Sequence, residues 1–158
     1  MSAFVDTNVV VYAFDAADQA KQQTAIALLE SGQRLVVSTQ VVLELWWVLT
    51  RRLARPLPED QAAVVVDELC RLPLVTTDVE MVRRAIDTSR RFRIAVWDAM
   101  IIEAARSAGC DRVLTEYLQA GQDFDGITID NPFARYAWKV PRLQDETIQR
   151  LAPSSPQS

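Results

Sequence analysis

Short runs of apolar residues alternate along this chain with longer segments in which apolar residues recur every three or four positions. Short runs are typical of buried strands, whereas the longer periodicity is typical of helices that pack one face on a core. The runs predict strands at residues 3–5, 35–37, 74–75, 112–114 and 127–129. The segments between them predict helices at about 9–30, 39–53, 58–69, 78–90 and 96–108. Strands alternating with helices indicate an α/β fold with a mainly parallel sheet.

Residues that favour helix ends support these boundaries. Gly32 and Gly109 follow two of the predicted helices and stop them, because glycine readily adopts the left-handed conformation of a helix end. Thr77 and Glu80 fit a capping box, in which a hydroxyl and a carboxylate three residues apart satisfy free helix N–H groups. No repeat or linker interrupts the chain before Phe133, which indicates one domain.

The composition restricts the chemistry that this chain can perform. It has 158 residues, of which 49% are hydrophobic and 24% charged, as expected for a globular domain with a sizeable core. Histidine is absent, which excludes Ser-His-Asp and Cys-His nucleophiles and His-ligated metals. Cys70 and Cys110 are too few for a disulfide framework, and we expect two buried thiols in a reducing cytoplasm. Catalysis would therefore rest mainly on carboxylates.

Nothing in the pattern indicates export or a membrane anchor. Residues 1–6 have neither the basic nor the apolar region of a signal peptide. The longest apolar stretch, 41–49, is interrupted by Glu44 and is too short to span a bilayer. We therefore expect a cytoplasmic protein without membrane contact.

The charge distribution leaves room for a local basic surface. The net charge of −4 argues against coating of nucleic acid by the whole surface. All but two of the 17 cationic residues are arginines, whose forked guanidinium groups suit bidentate phosphate contacts. They cluster at Arg51, Arg52 and Arg55 and at Arg83, Arg84, Arg90, Arg91 and Arg93. Each cluster is either a phosphate-binding surface or an ordinary solvated helix face.

Three acidic residues stand out by their positions in the predicted elements. Asp6 follows the first strand, at the edge where open α/β sheets bind ligands, although a helix-capping aspartate would look the same. Glu44 lies beside the apolar stripe of its helix, which consists of Val41, Leu45, Val48 and Leu49. Asp98 begins a similar stripe, which continues through Ile101, Ile102 and Ala105.

A carboxylate beside a core must be paired, protonated or bound to a metal, because an uncompensated buried charge costs several kcal/mol. For any one of the three, a capping or salt-bridged side chain is an equally good interpretation. Two carboxylates about 4 Å apart repel by roughly 4 kcal/mol at an effective dielectric near 20, so three together favour a cation. An arginine or a divalent ion would serve, and oxygen ligands without His or Cys suit Mg²⁺ or Mn²⁺.

Five segments carry a family resemblance. They are residues 4–9 (FVDTNV), 42–45 (VLEL), 96–102 (VWDAMII), 113–115 (VLT) and 130–133 (DNPF). In this order they resemble the motifs of PIN-domain ribonucleases, in particular the VapC-type toxins of bacterial toxin–antitoxin pairs. The resemblance implies a PIN-like three-layer α/β/α domain with a short, mainly parallel central sheet. We place this domain at residues 1–136 and a partly disordered C-terminal extension at 137–158, with a weak helix at 143–151.

The resemblance also implies an activity and a site. The activity is a metal-dependent endoribonuclease that uses Mg²⁺, with Mn²⁺ as the alternative. The metal-binding acids carried over to this chain are Asp6, Glu44 and Asp98. Thr7 and Asn8 would orient Asp6 or a bound water, and Thr115 would lie at the rim of the site.

At one position the chain departs from the family pattern. The family usually has a fourth acid two residues after Thr115, where this chain has Tyr117. A phenol is uncharged near neutral pH and is a poor Mg²⁺ ligand. Glu116 is the nearest replacement and is a candidate catalytic residue, whereas Asp123 and Asp125 are more distant substitutes.

The partners implied by the resemblance are an RNA substrate, a small antitoxin protein and a second copy of the chain. The candidate contacts to the RNA backbone are Arg90, Arg91 and Arg93, with the arginines at 51–55. Trp46 or Trp47 would stack a base, although core packing is the simpler role for at least one of them. Apolar residues on the helices at 39–53 and 58–69 are candidate antitoxin contacts.

The sequence is compatible with three functions. The first is a toxin that cleaves RNA with a metal-activated water. The second is a PIN-fold RNA- or antitoxin-binding module whose catalysis is weak or lost because of Tyr117. The third is a phosphoryl-transfer enzyme with Asp6 as nucleophile, for which the usual second aspartate is replaced by Asn8.

Overall fold

The computed structural model describes residues 2–136, which form a β-sheet flanked by helices. The strands are β1 (Ser2–Val5), β2 (Arg34–Ser38), β3 (Leu74–Val75), β4 (Arg112–Leu114) and β5 (Thr128–Asp130). The helices are α1 (Thr7–Tyr12), α2 (Gln19–Leu29), α3 (Thr39–Arg51), α4 (Glu59–Leu69), α5 (Val79–Phe92), α6 (Val96–Ser107) and α7 (Pro132–Tyr136). The predictions for the extension at 137–158 and its helix lie outside the described residues.

The sheet has the strand order β3-β2-β1-β4-β5, and every neighbouring pair is parallel. In the centre, Phe4 pairs with Val36 on one side and with Val113 on the other. The chain moves outward from β1 to β3 and then returns to the other side of β1 with β4. Open parallel sheets bind ligands where the order reverses, at the carboxyl ends of the strands. This fold therefore predicts a site beside the ends of β1 and β4.

The helices cover both faces of the sheet. Parallel crossovers are right-handed, so the reversal of the strand order after β3 puts α1 to α4 on one face of the sheet and α5 and α6 on the other. The contacts agree, because α1 packs on α3, α3 packs on α4, and α5 packs on α6. The predicted three-layer α/β/α arrangement with a parallel central sheet is confirmed.

The two amphipathic stripes predicted from the sequence face the core. Val41, Leu45 and Leu49 of α3 are buried, as are the apolar positions of α6 at Ile101, Ile102 and Ala105. Burying one such large side chain stabilises the fold by about 1.5–3 kcal/mol. Glu44 and Asp98 are half-buried beside these stripes. Within residues 2–136, no helix has the length and apolarity that crossing a membrane requires.

The predicted single helix at 9–30 is wrong, because the segment forms α1 and α2 with a turn between them. The α1 helix begins at Thr7, and the Asp6 carboxylate caps it by accepting a hydrogen bond from the Thr7 N–H. Asp18 caps α2 by accepting from the Lys21 N–H at 3.0 Å. Aspartate favours caps over helix interiors, and this preference outweighs the apolar periodicity that runs through the break.

Three smaller predictions also need correction. The N-cap of α5 is Asp78, which accepts from the Met81 N–H at 2.8 Å, and not Thr77 of the predicted capping box. An aspartate next to the boundary is the better cap, and Thr77 hydrogen bonds with Thr39 instead. Cys70 is exposed and only Cys110 is buried. The last strand lies one residue later than predicted, and α7 was not predicted.

Candidate active site

A groove of about 760 Å³ opens at the carboxyl ends of β1 and β4, where the strand order reverses. Asp6 after β1, Glu44 in α3 and Asp98 in the first turn of α6 all line this groove. Its other walls are mainly apolar and aromatic, and include Leu43, Trp46, Trp47, Trp97, Ile101 and Tyr117. The structure therefore brings together the three acids predicted from separate parts of the sequence.

Asp6 is held by hydrogen bonds to both of its carboxylate oxygens. The Thr7 N–H donates to Oδ1 at 2.7 Å. On Oδ2, the Asn8 Nδ2 donates at 2.7 Å and the Thr115 hydroxyl at 2.8 Å. The Asn8 Nδ2 also donates to the Thr115 Oγ1 at 3.1 Å, which joins the two residues. Asn8 and Thr115 therefore orient the Asp6 carboxylate, whereas the sequence predicted this role for Thr7 and Asn8 and placed Thr115 at the rim.

Glu44 has its own pair of hydrogen-bond partners. The Thr7 hydroxyl donates to its Oε2 at 2.8 Å, and the Gln40 Nε2 donates to its Oε1 at 2.8 Å. Thr7 therefore serves both acids, with its backbone on Asp6 and its hydroxyl on Glu44. Asp98 lies in the first turn of α6, where the partial positive charge of a helix N-terminus stabilises a carboxylate.

The pKa values of Asp6 and Asp98 are raised by burial and by neighbouring acids. Burial is the main reason that the pKa of Asp6 is raised to about 6; the hydrogen bonds from Thr115 and Thr7 oppose this rise, and the charges of Glu44 and Asp98 add to it. The pKa of Asp98 is also raised, first by burial and then by Glu44. Within residues 2–136, no lysine or arginine forms an ion pair with these three side chains. None of the three acids therefore has an ion-pair partner in this part of the protein, although Arg52 also lines the groove.

The donor set fits a hard divalent cation, although the ligands are not gathered at one point. Across residues 2–136, no three acidic or cysteine side chains form a preformed metal-binding cluster. Carboxylate oxygens without histidine or thiolate are the ligands that Mg²⁺ and Mn²⁺ favour. Such an ion would offset the mutual repulsion of Asp6, Glu44 and Asp98.

Glu116 does not line the groove, unlike its neighbour Tyr117. Its carboxylate accepts from the Lys21 ammonium at 2.8 Å and from the Tyr12 hydroxyl at 2.5 Å. The structure thus joins Glu116 to a basic residue and keeps it apart from the other three acids. Asp125, one of the distant substitutes, lies in the loop that enters β5, near the amino ends of the strands, and pairs with Arg91.

A model of the family described as the PIN domain matches residues 3–139. The chain belongs to the PIN-domain family. The resemblance found in the five sequence segments is therefore confirmed at the level of the family. Among curated proteins, none matches this sequence.

Solved structures of toxins and toxin–antitoxin complexes share the fold of this PIN domain. VapC20 of Mycobacterium tuberculosis, described as a sarcin–ricin loop cleaving toxin, is 22% identical, with a TM-score of 0.57 over 70% of this chain and 86% of that chain. A toxin–antitoxin complex from Klebsiella pneumoniae is 14% identical, with a TM-score of 0.63 over 82% and 97%. VapBC2 from Rickettsia felis, bound to a DNA fragment from its promoter, is 17% identical, with a TM-score of 0.59 over 83% and 98%. At these identities the likeness establishes the fold.

Of the arginines predicted to hold RNA, Arg52 is the one among the described residues that lines the groove of this PIN domain. Arg91 instead forms a two-pronged ion pair with Asp125, at 2.6 and 3.1 Å. Because Asp125 precedes β5, this pair lies toward the end of the sheet opposite to Asp6. Arg90 and Arg93 are exposed and lie outside the groove lining, so their contact with RNA stays a prediction.

Of the two tryptophans predicted from the sequence, one packs on the core and the other is exposed, and a third tryptophan also lines the groove. Trp46 packs partly against the core, and Trp47 is exposed, while both line the groove. Trp97, which is 69% exposed on the same groove, was not predicted. Its position in the sequence could have indicated it, because Trp97 directly precedes Asp98 and lies outside the apolar stripe of α6. Gln40, which lies one helical turn before Glu44, was not predicted either.

Proposed function

We propose that this PIN domain is a metal-dependent endoribonuclease that acts as a VapC-type toxin. The observation that carries the proposal is the convergence of Asp6, Glu44 and Asp98 on one groove without a basic partner among residues 2–136. Bare carboxylates repel a phosphodiester, so a groove of this kind binds RNA productively only with a cation. The likeness to toxin folds supports RNA as the substrate class.

In the proposed mechanism Asp6, Glu44 and Asp98 hold Mg²⁺ or Mn²⁺. When bound, the ion supplies a nucleophile from water at neutral pH and stabilises charge on the scissile phosphate. The donors on Asp6 from Asn8 and Thr115 orient its carboxylate and favour its ionised form. Thr7 and Gln40 orient Glu44 by donating to its two carboxylate oxygens. No side-chain nucleophile is required.

The groove also offers groups that suit an RNA strand. Arg52 lines one wall and provides a guanidinium for a backbone phosphate. Trp47, Trp97 and Tyr117 are exposed on the same groove, and faces of this kind stack unpaired bases. Binding energy from these walls would position the phosphate over the acids.

We propose two protein partners as well, an antitoxin and a second copy of the chain. Similar folds occur in toxin–antitoxin complexes, one of them solved on promoter DNA. Exposed large apolar residues on α3, α4, α5 and α6 support protein contacts, because soluble monomers rarely leave such side chains uncovered in contiguous patches. An antitoxin that covers Leu43 and Trp47 would also close the acidic groove.

A binding module without efficient catalysis is the second candidate. Tyr117 favours it, because this side chain is exposed at the groove where the family usually has a fourth acid, and Glu116 is paired with Lys21. Such a protein would bind RNA and antitoxin and cleave weakly or not at all.

The decisive experiment compares the wild type with Asp6→Asn, Asp98→Asn and a matched control, Asp67→Asn on the exposed surface of α4. Each is incubated with total RNA in Mg²⁺, in Mn²⁺ and in EDTA. We expect metal-dependent cleavage by the wild type and the control, and a loss of at least about 100-fold in both site variants. Cleavage in EDTA, or cleavage by either site variant at a rate close to that of the wild type, would contradict the proposal. RNA binding by the wild type without cleavage would favour the binding module.

A further inference from the structure

Lys21, Tyr12 and Glu116 form a cluster that adjoins the acidic groove. The Lys21 ammonium donates to the Glu116 Oε2 at 2.8 Å and to the Tyr12 hydroxyl oxygen at 3.3 Å. The Tyr12 hydroxyl donates to the Glu116 Oε1. The ammonium also lies over the rings of Tyr12 and Phe133, 4.7 and 5.6 Å from their centroids. One cluster therefore ties α1, α2, α7 and the loop after β4 together.

The cluster connects to Asp6 through the backbone of Glu116. The Glu116 N–H donates to the Asn8 Oδ1 at 3.2 Å, which fixes the Asn8 amide with its Nδ2 directed at Asp6. The next N–H in the loop, that of Tyr117, donates to the Thr115 Oγ1 at 3.2 Å. Both side chains that hold the Asp6 Oδ2 are therefore themselves held by the loop that Glu116 anchors.

We propose that Lys21 and Tyr12 are positioning residues, which hold Glu116 so that the loop 115–117 keeps Asn8 and Thr115 directed at Asp6. For catalysis this inference rests on the proposed function, whereas the positioning itself is a property of the metal-free protein. It also assigns Glu116 a role as an anchor of the loop. To bind a metal, Glu116 would have to give up its hydrogen bonds with Lys21 and Tyr12. While it makes these hydrogen bonds, its side chain is only 13% exposed.

The choice of residue types supports this role. Lys21 is the only lysine within residues 2–136, in a chain whose other cations there are arginines. An ammonium is compact and has three rotatable donors, so it reaches a carboxylate and a phenol at once, which a planar guanidinium does less well. Its backbone is fixed as well, because the Lys21 N–H donates to the N-cap Asp18 of α2. The pKa of Lys21 is raised, mainly by the hydrogen bond to Glu116, so the ammonium stays charged.

The first test is amide hydrogen exchange by NMR in the metal-free protein. The variants are Lys21→Met, which keeps an apolar stem over the rings, Glu116→Gln and Tyr12→Phe. The control is Arg71→Met, which removes an exposed ion pair with Glu68 on another helix. In the first two variants we expect exchange at the Glu116 and Tyr117 amides to be about tenfold faster or more. The Asp6 and Thr115 amides, which bond to neighbouring strand carbonyls, serve as internal references and should change little.

The second test separates positioning from general loss of stability by steady-state cleavage kinetics. We expect kcat to fall about tenfold in Lys21→Met and in Glu116→Gln with little change in KM, because RNA contacts remain while Asp6 is less well oriented. The double variant should lose no more than the worse single variant, since both changes release the same loop. Arg71→Met should match the wild type, and Tyr12→Phe should give a smaller loss than Lys21→Met.

Several results would overturn the inference. Unchanged exchange at Glu116 and Tyr117, or equal acceleration at all amides, would show that the cluster does not hold the loop. Local acceleration with normal kcat would show that the loop position does not matter for catalysis. Loss of Mn²⁺ binding in Glu116→Gln together with tighter binding in Lys21→Met would make Glu116 a ligand. Because exchange is measured without metal or RNA, its outcome does not depend on the proposed nuclease activity.

Discussion

Asp6 is both the cap of a helix and one of the three acids of the groove. The hydrogen bonds from Thr7, Asn8 and Thr115 favour its ionised form, whereas burial and the charges of Glu44 and Asp98 oppose it. Burial is the largest effect, and the pKa of Asp6 is therefore raised to about 6. Without a cation the folded protein is under electrostatic strain at neutral pH.

This strain predicts a pH-dependent stability of the metal-free protein. A carboxyl whose folded pKa is about 6, above its usual value of 3.8, stabilises the fold fully below pH 3.8, and this stabilisation is lost as the pH rises through 6. The free energy of unfolding of the wild type in EDTA should therefore fall between pH 4.5 and 7.5 relative to Asp6→Asn, by an amount on the order of 2 kcal/mol. Urea denaturation at a series of pH values measures the difference.

The exposed Asp67→Asn variant is the control and should follow the wild-type curve. Asp98, whose pKa is also raised, remains in Asp6→Asn and leaves a weaker slope of the same sign. Saturating Mn²⁺ should restore stability to the wild type at pH 7.5 but not to Asp6→Asn, because ligand binding to the folded state stabilises it. If the free energy of unfolding of the wild type and that of Asp6→Asn change in parallel with pH, the raised pKa of Asp6 does not destabilise the fold.

At the scale of elements, the two arginine clusters differ in whether an arginine is already paired with a carboxylate. Arg52 ends α3 at the groove, whereas Arg91 near the end of α5 is already paired with Asp125. An arginine that holds a carboxylate through two hydrogen bonds must give them up before it binds a phosphate. The proposed path of the RNA therefore runs along α3, past Arg52, and not along α5, past Arg91.

We accordingly predict that Arg52→Ala weakens RNA binding and that Arg91→Ala does not. Both changes are made in the Asp6→Asn background to prevent cleavage, and binding of a single-stranded RNA is followed by fluorescence anisotropy at several KCl concentrations. Loss of one phosphate contact should reduce the slope of log K against log salt by about 0.7. A reduced slope for Arg91→Ala with no change for Arg52→Ala would place the RNA on α5 instead.

The elements that the sequence predicts well are those whose signal is local. The apolar stripes around Glu44 and Asp98, and the apolar strand before Asp6, depend only on spacing along the chain, and all three were confirmed. The break between α1 and α2 was missed because apolar spacing continues through it. The partner of Glu116 was missed for a different reason, because Lys21 lies 95 residues away and spacing carries no information on such contacts.

At the scale of the whole molecule, the strand order decides where the groove forms. The reversal between β1 and β4 leaves a crevice at their carboxyl ends, and α3 and α6 approach it from the two faces of the sheet. Each contributes one acid, and the loop after β4 contributes Thr115. A site assembled from three layers is sensitive to how they pack, which is why anchors such as Lys21 matter at a distance from the acids.

The molecule also carries an apolar surface beyond the acidic groove. A second groove of about 590 Å³ is lined mainly by Leu43 of α3, Val82 and Ile86 of α5, and Trp97 and Met100 of α6. Leu43 and Trp97 line both grooves, so the two surfaces are continuous. A contiguous apolar surface of this kind indicates a protein contact, and a second copy of the chain is the partner proposed for the α5 side.

We therefore predict that Ile86→Glu disrupts a homodimer that the wild type forms at micromolar concentration. A carboxylate at this position, which is 45% exposed in the monomer, would lose its hydration in a dimer interface, at a cost that weakens association by about 100-fold or more. The matched control is Val64→Glu, which adds the same charge at an exposed valine of α4 outside both grooves. Sedimentation velocity should show a dimer for the wild type and the control and a monomer for Ile86→Glu, with unchanged circular dichroism for all three. A monomeric wild type would contradict the homodimer and leave this surface to the antitoxin. A dimer that survives Ile86→Glu and dissociates with Val64→Glu would place the interface on α4 and not on α5.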